Sequence, residues 1–229
     1  MIAFSTNKSY TINPALDLVL YAVKLLSEKF KPAVEHIGQQ AYDMEESLDI
    51  EDVRASRKGE PDAYKRLIER HQQHIGKIMW RFSRDPLIHE ELVEDVFVEA
   101  YMSIGTYREK APFENWLARI ATRVGYRYWK QQARQKKFER FSLEDWDRLT
   151  GEAPEGIDSA RAAELLHNLL AQLPPRDRLV LTLRYLDGCD VAQAARRTGW
   201  TKGMVKVQTN RAKKKLQKLL SQTEERRTL

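Results

Sequence analysis

Three groups of residues in this 229-residue sequence are typed and spaced for recognition rather than for making or breaking bonds. The first lies between Trp200 and Thr223, where seven Lys or Arg stand and no Asp or Glu. Val205, Thr209, Ala212 and Leu216 recur there at helical spacing and share one face. Lys206, Val207, Asn210, Lys213, Lys214 and Gln217 fall away from it, and Thr201 stands where a cap would. Lysines neutralise phosphates, while Gln208, Asn210 and Arg211 have the donors and acceptors to read base edges. A shorter helical pattern with Ala192, Ala195 and Gly199 precedes this one across a tight turn. Small residues let two helices cross closely, so the pair reads as a helix-turn-helix. The competing reading is a solvated basic helix that only closes its own domain.

The second group is a cationic stripe, Arg119, Arg123, Arg127, Lys130 and Arg134, at steps of three and four. Tyr126, Tyr128 and Trp129 interleave with it, Asn115 precedes it, and the loop before carries Tyr107, Arg108, Lys110 and Phe113. Flat faces for unstacked bases and charge for phosphates are what a single strand of nucleic acid needs. The third group is the acidic face Glu90, Glu91, Glu94, Asp95 and Glu99, with Leu92, Val93, Val96, Phe97, Ala100 and Tyr101 read as its inward side. It suits a basic protein partner; a plainly solvated helix is the alternative.

Catalytic and metal-binding patterns do not emerge. The sequence has no glycine-rich phosphate loop, no HExxH and no GxSxG. The five His are scattered, with His71 and His74 lacking a second ligand pair, and Cys189 reads as a small buried residue. No catalytic residue, metal or cofactor is expected.

The elements that must hold these groups are helices. A hydrophobic fraction of 42% supports real cores, and ten Gly and eight Pro are few for a turn-rich fold. Strand alternation is missing at any useful length. Residues 1–43 read as an appended amphipathic helix, with Leu16, Val19, Leu20, Val23, Leu26 and Phe30 on one side. The polar run from Met44 reads as a leader or linker. Residues 44–138 then read as a first bundle, the acidic stretch 139–159 as a flexible linker broken by Gly151, Pro154 and Gly156, and 160–229 as a second small domain. The fold class is all-α, two small bundles on a tether. With Asp17 and Lys24 inside its longest apolar stretch, too short for a bilayer, the chain reads as cytoplasmic with no membrane insertion.

The order of these parts resembles a bacterial sigma factor of the extracytoplasmic-function group, in group 4 of the sigma-70 family. LVEDVFVEAYMSIGTYREKAPFENWLARIATRVGYRYWKQQ is similar to the family's second region and LPPRDRLVLTLRYLDGCDVAQAARRTGWTKGMVKVQTNRAKKKLQKLL to its fourth. With their lead-in helices they run from about Glu60 to Leu220. The resemblance implies a protein that binds core RNA polymerase and directs promoter recognition, melting and initiation. It implies that Glu91, Glu94, Asp95 and Glu99 meet the clamp helices of the largest subunit. Tyr107, Arg108, Lys110, Phe113, Asn115, Arg119, Arg123, Arg127 and Lys130 would hold the minus-ten element. Thr201, Lys202, Lys206, Val207, Gln208, Asn210, Arg211 and Lys214 would read the minus-thirty-five element, beside the flap of the second-largest subunit. An anti-sigma protein is a further partner it implies. The chain departs from the family pattern at Glu94, where Gln is common, and at Val207 and Gln208, where Ser and Arg are. A stand-alone helix-turn-helix repressor or activator, binding duplex DNA as a dimer, is the alternative, and an RNA-processing or nuclease module a third.

Overall fold

Three helices in the first half of the chain start at or just after a proline: Pro61, Pro86 and Pro112. The computed structural model describes residues 37–135 and 166–227. Helix α1 spans Ile37–Arg57, α2 Pro61–Met79, α3 Pro86–Ser103 and α4 Phe113–Gln135. Pro61 and Pro86 occupy first-turn positions whose N–H would be unpaired in any case. The Asp85 carboxylate caps α3, accepting from the N–H groups of Leu87 at 2.9 Å and Ile88 at 3.2 Å. The second half has α5 (Pro175–Leu181), a π-helical continuation (Thr182–Leu186), α6 (Val191–Thr198) and α7 (Lys202–Arg227). Every regular element among the described residues is helical, as the sequence leads one to expect. The appended helix around residues 15–30 and the linker 139–159 lie outside the described residues.

The stretch from Met44 is not a linker. It forms the greater part of α1, which lies along α2 with Val53 fully buried. Its inward face is largely charged, and this hides it from a hydrophobic-period reading. Asp49, Asp52 and Ser56 are buried. Arg66 Nε reaches Asp52 Oδ1 at 2.9 Å and Arg70 reaches Asp52 Oδ2 at 2.8 Å. Arg70 also pairs with Asp49, and His71 Nε2 lies 2.9 Å from both Asp49 carboxylate oxygens. Buried carboxylates are tolerated because each is paired and hydrogen-bonded. Burial raises Asp52, but the Arg66 and Arg70 hydrogen bonds outweigh it and hold the carboxyl below its ordinary range.

One core runs through both halves. Leu67, Ile75, Met79, Val96, Leu117 and Val124 fill the first bundle, and Leu179, Leu183, Val205 and Ala212 the second. Helix α4 touches α5 and α6, so the two halves pack directly on one another. A close approach inside the first bundle is at Gly125, where the Phe82 ring lies against the glycine and the Trp129 ring centre is 4.4 Å from that of Phe82.

Candidate nucleic-acid interface

The helix-turn-helix is built by three small devices. Asp190 and Gln193 form a reciprocal capping box at the start of α6, with 2.7 Å bonds in both directions. Gly199 ends that helix at φ 74°, a left-handed conformation that glycine adopts without strain. Thr201 Oγ1 then accepts from the Met204 N–H at 3.1 Å, opening α7. Val205, Thr209, Ala212 and Leu216 are buried against α5 and α6, as their spacing predicts. Lys202, Lys206, Val207, Asn210, Arg211 and Lys214 are exposed together with Thr201.

Gln208 is the exception. Its Nε2 donates to Asp177 Oδ1 at 2.5 Å, and Lys215 Nζ takes the other oxygen at 2.6 Å. Asp177 is buried beneath α7, so Gln208 in this arrangement braces α7 on α5 and does not face outward. Position 208 lies between the buried seam and the open face, so sequence spacing alone assigns it to either. Gly203 and Met204, not singled out by the sequence, join the open face.

The stripe on α4 is also in place. Arg119, Arg123, Arg127, Lys130 and Arg134 are exposed, with Lys130 Nζ 5.6 Å from the Tyr126 ring centre. In the preceding loop Arg108 and Lys110 are exposed, as is Asn115 at the start of α4. Tyr107 and Phe113, expected to offer flat faces to bases, are core residues in this conformation. Their rings pack on each other and on Trp116 at 5.3–5.6 Å, and Tyr107 Oη donates to Ala111 O at 2.7 Å. An aromatic loop in sequence looks the same whether its rings point in or out; here folding the loop back on α4 buries them. The loop is fixed from α1 as well. Arg57 donates to the carbonyls of Ile104, at 3.0 and 3.2 Å, and of Tyr107. Glu109, at φ 56°, is ion-paired to Arg54 at 2.7 Å and Arg57 at 3.3 Å.

On α3, Glu91, Glu94 and Asp95 are exposed, while Glu99 turns toward α4 and meets Arg123 at 2.6 Å and Arg127 at 2.7 Å. It therefore joins α3 to the cationic stripe. Burial raises Glu99, yet Arg127 and Arg123 together hold it below the ordinary carboxylate range. Three apolar residues share the acidic face and were not anticipated: Leu87 at 77%, Val98 at 58% and Met102 at 82% exposure. Their helical phase, opposite Leu92 and Val96, was the available signal. Tyr101, read as inward, is exposed, with its ring 4.9 Å from that of Tyr64. An apolar strip rimmed by carboxylates is the composition of a protein-binding face.

The halves meet through charge. Asp187, just past the π-helical segment, receives Arg81 Nε of the first half at 3.2 Å and Arg197 of α6 at 3.3 Å. Arg81 also donates to the Leu186 carbonyl at 3.4 Å. Burial raises Asp187 above the ordinary carboxylate range even so. The Arg178 guanidinium carbon sits 3.9 Å over the Trp129 ring centre. Among the described residues no cluster of His, Cys, Asp or Glu is arranged to hold a metal, and no helix is long and apolar enough to cross a membrane.

Comparison with known proteins gives consistent matches. Residues 67–135 match the family model described as Sigma-70 region 2, and residues 163–216 the one described as Sigma-70, region 4. The chain is 26% identical over 176 residues to the RNA polymerase sigma-H factor of Pseudomonas aeruginosa, covering 73% of this chain and 91% of that one. It is 23% identical over 180 residues to the ECF RNA polymerase sigma factor SigW of Bacillus subtilis, covering 73% and 94%. Among solved structures, that of CnrH in complex with the cytosolic domain of CnrY aligns with a TM-score of 0.49 at 23% identity, over 76% of this chain and 97% of the other.

Proposed function

The chain belongs to the sigma-70 family and is a sigma factor of its extracytoplasmic-function branch; from that premise we infer how its surfaces divide the work of starting transcription. This membership sets aside the stand-alone repressor. The observation that carries the division is the separation of charge. Helix α3 offers an acidic-apolar face, and α4 and α7 each offer a cationic one. Glu91, Glu94 and Asp95, with Leu87, Val98 and Met102 between them, dock on the clamp helices of core polymerase. Glu99 does not join that docking face; it positions Arg123 and Arg127 on the DNA-facing helix.

Arg108, Lys110, Asn115, Arg119, Arg123, Arg127 and Lys130 hold the minus-ten element. Tyr107 and Phe113 shape the capture loop and reach a flipped base only if the loop opens. Thr201, Lys202, Lys206, Val207, Asn210, Arg211 and Lys214 sit on the minus-thirty-five duplex, with Gln208 as their brace. Region 2 corresponds to residues 44–138 and region 4 to residues 160–229, tethered by 139–159. The work is binding rather than catalysis, and it takes place beside the cytoplasmic polymerase under the control of an anti-sigma protein. Two modest DNA affinities held at a fixed separation by core polymerase combine as an effective concentration. Capture of an extruded base offsets a few kcal/mol of unstacking.

The packing of α4 on α5 and α6 sets the helix-turn-helix half directly against the first bundle in the free chain. In this reading, binding core polymerase exchanges the Asp187 and Arg178 contacts for contacts with its own surfaces. The test is to mix the purified chain with sigma-free bacterial core polymerase and map transcripts on fragmented genomic DNA. The expected result is discrete start sites that share two spaced upstream elements. Absence of core binding, with tight binding of the chain alone to a palindromic duplex, would overturn the reading.

A further inference from the structure

Helix α7 spends its most outward position on an apolar residue. The buried seam is Val205, Thr209, Ala212 and Leu216, and half a turn away from it stands Val207, 51% exposed. Its neighbours on that face are Gly203 one turn before, and Asn210, Arg211 and Lys214 one and two turns after, all exposed. Met204, 40% exposed, borders the strip. A β-branched residue at an exposed helical site lowers helix propensity relative to Lys or Arg and loses rotamer freedom, and here it has no core to fill. Gly203 meets only Thr201 Oγ1, 3.9 Å from where a Cβ would stand, so the backbone there is open to close approach. The result is a low apolar strip inside a cationic, amide-bearing face.

The surrounding cations select a polyanion, which argues against an apolar peptide as the occupant. The strip itself cannot read donors or acceptors. In the major groove the apolar group on offer is the C5 methyl of thymine. We propose that Val207, with Met204 at its edge, packs on a thymine methyl of the upstream promoter element, so that one base pair under the first turns of α7 is chosen by a methyl contact. This rests on the reading of α7 as the duplex-reading helix.

The experiment uses the full chain with core polymerase. A preferred upstream duplex is selected from a randomised pool, and each thymine is then replaced by deoxyuridine, which deletes the methyl and leaves pairing and hydrogen-bonding groups intact. Binding should fall roughly three- to fivefold at one thymine, the worth of burying one methyl group, and stay level at the others. Val207→Ser should abolish that thymine–uracil difference while retaining core binding and the cooperative unfolding of the chain. Equal binding of all uracil-substituted duplexes, a selected element without thymine under α7, or a discrimination that survives in V207S would each overturn the proposal. Loss of core binding by V207S with the thymine–uracil ratio unchanged would instead make the strip a protein contact. Failure to select any duplex would refute the reading of α7 itself, a result distinct from all of these.

Discussion

Replacing Gly125 by Ala sets two effects of known sign against one another. In a helix interior the change by itself favours folding by about 1 kcal/mol. At this position, however, the new Cβ would lie closer than 3.0 Å to Phe82 Cγ, Cδ1 and Cδ2, all atoms of one buried ring. That ring has little freedom to withdraw. Trp129 packs on it at 4.4 Å between centres and donates its Nε1–H to the Phe82 carbonyl at 2.9 Å, and Arg178 covers Trp129 in turn. Overpacking a tight core costs about 1–3 kcal/mol, and a blocked ring belongs at the upper end. The net is a destabilisation of about 2 kcal/mol, or a fall in Tm of roughly 4–8 °C for a chain of this size. Thermal and urea unfolding measure it. Gly105→Ala is the control, because a Cβ there meets nothing within 4 Å, and it should be neutral or slightly stabilising. Adding Phe82→Leu to Gly125→Ala should recover most of the loss, a coupling of about 1–2 kcal/mol. A Gly125→Ala variant as stable as the parent, or more so, would refute the reasoning about this contact.

Three further outcomes are expected. Gln208→Ala should destabilise the chain by about 1–3 kcal/mol, by leaving Asp177 Oδ1 without its donor, while changing duplex affinity far less than Arg211→Ala; paired melting and DNA-binding measurements check both. Asp95→Lys and Val98→Glu should each weaken core-polymerase binding while leaving the unfolding free energy of the free chain, from urea titration, within about 0.5 kcal/mol of the parent, since both side chains are exposed; unchanged core binding would exclude α3 as the docking face. Asp52 and Glu99 are held low by their arginines despite burial, and Glu114 by its His74 hydrogen bond. Their contribution is complete above the unfolded carboxylate values of about 4 and lost as pH falls through the lower folded ones, so the urea midpoint should drop below about pH 4, with buried Asp187 acting in the opposite sense.

Much of the molecule was legible because it is written in short-range pattern. Gly199 and Thr201 mark helix ends by backbone conformation and local hydrogen bonding, and these need no distant partner. The seam of α7 and the stripe of α4 follow from the 3.6-residue period alone. The sequence by itself therefore determined an all-helical chain with two cationic helices and one acidic helix, in the order of the family. Tertiary structure decided which residues on those helices are available. Glu99 is drawn to Arg123 and Arg127, Gln208 to Asp177, and Tyr107 and Phe113 into the core, because each finds a partner that is remote in sequence or settled only when a loop folds back. Helix α1 escaped notice for the same reason. Its inward face of Asp49 and Asp52 reads as solvent-facing until Arg66, Arg70 and His71 are brought against it, and no local periodicity records a charge that is neutralised from another helix.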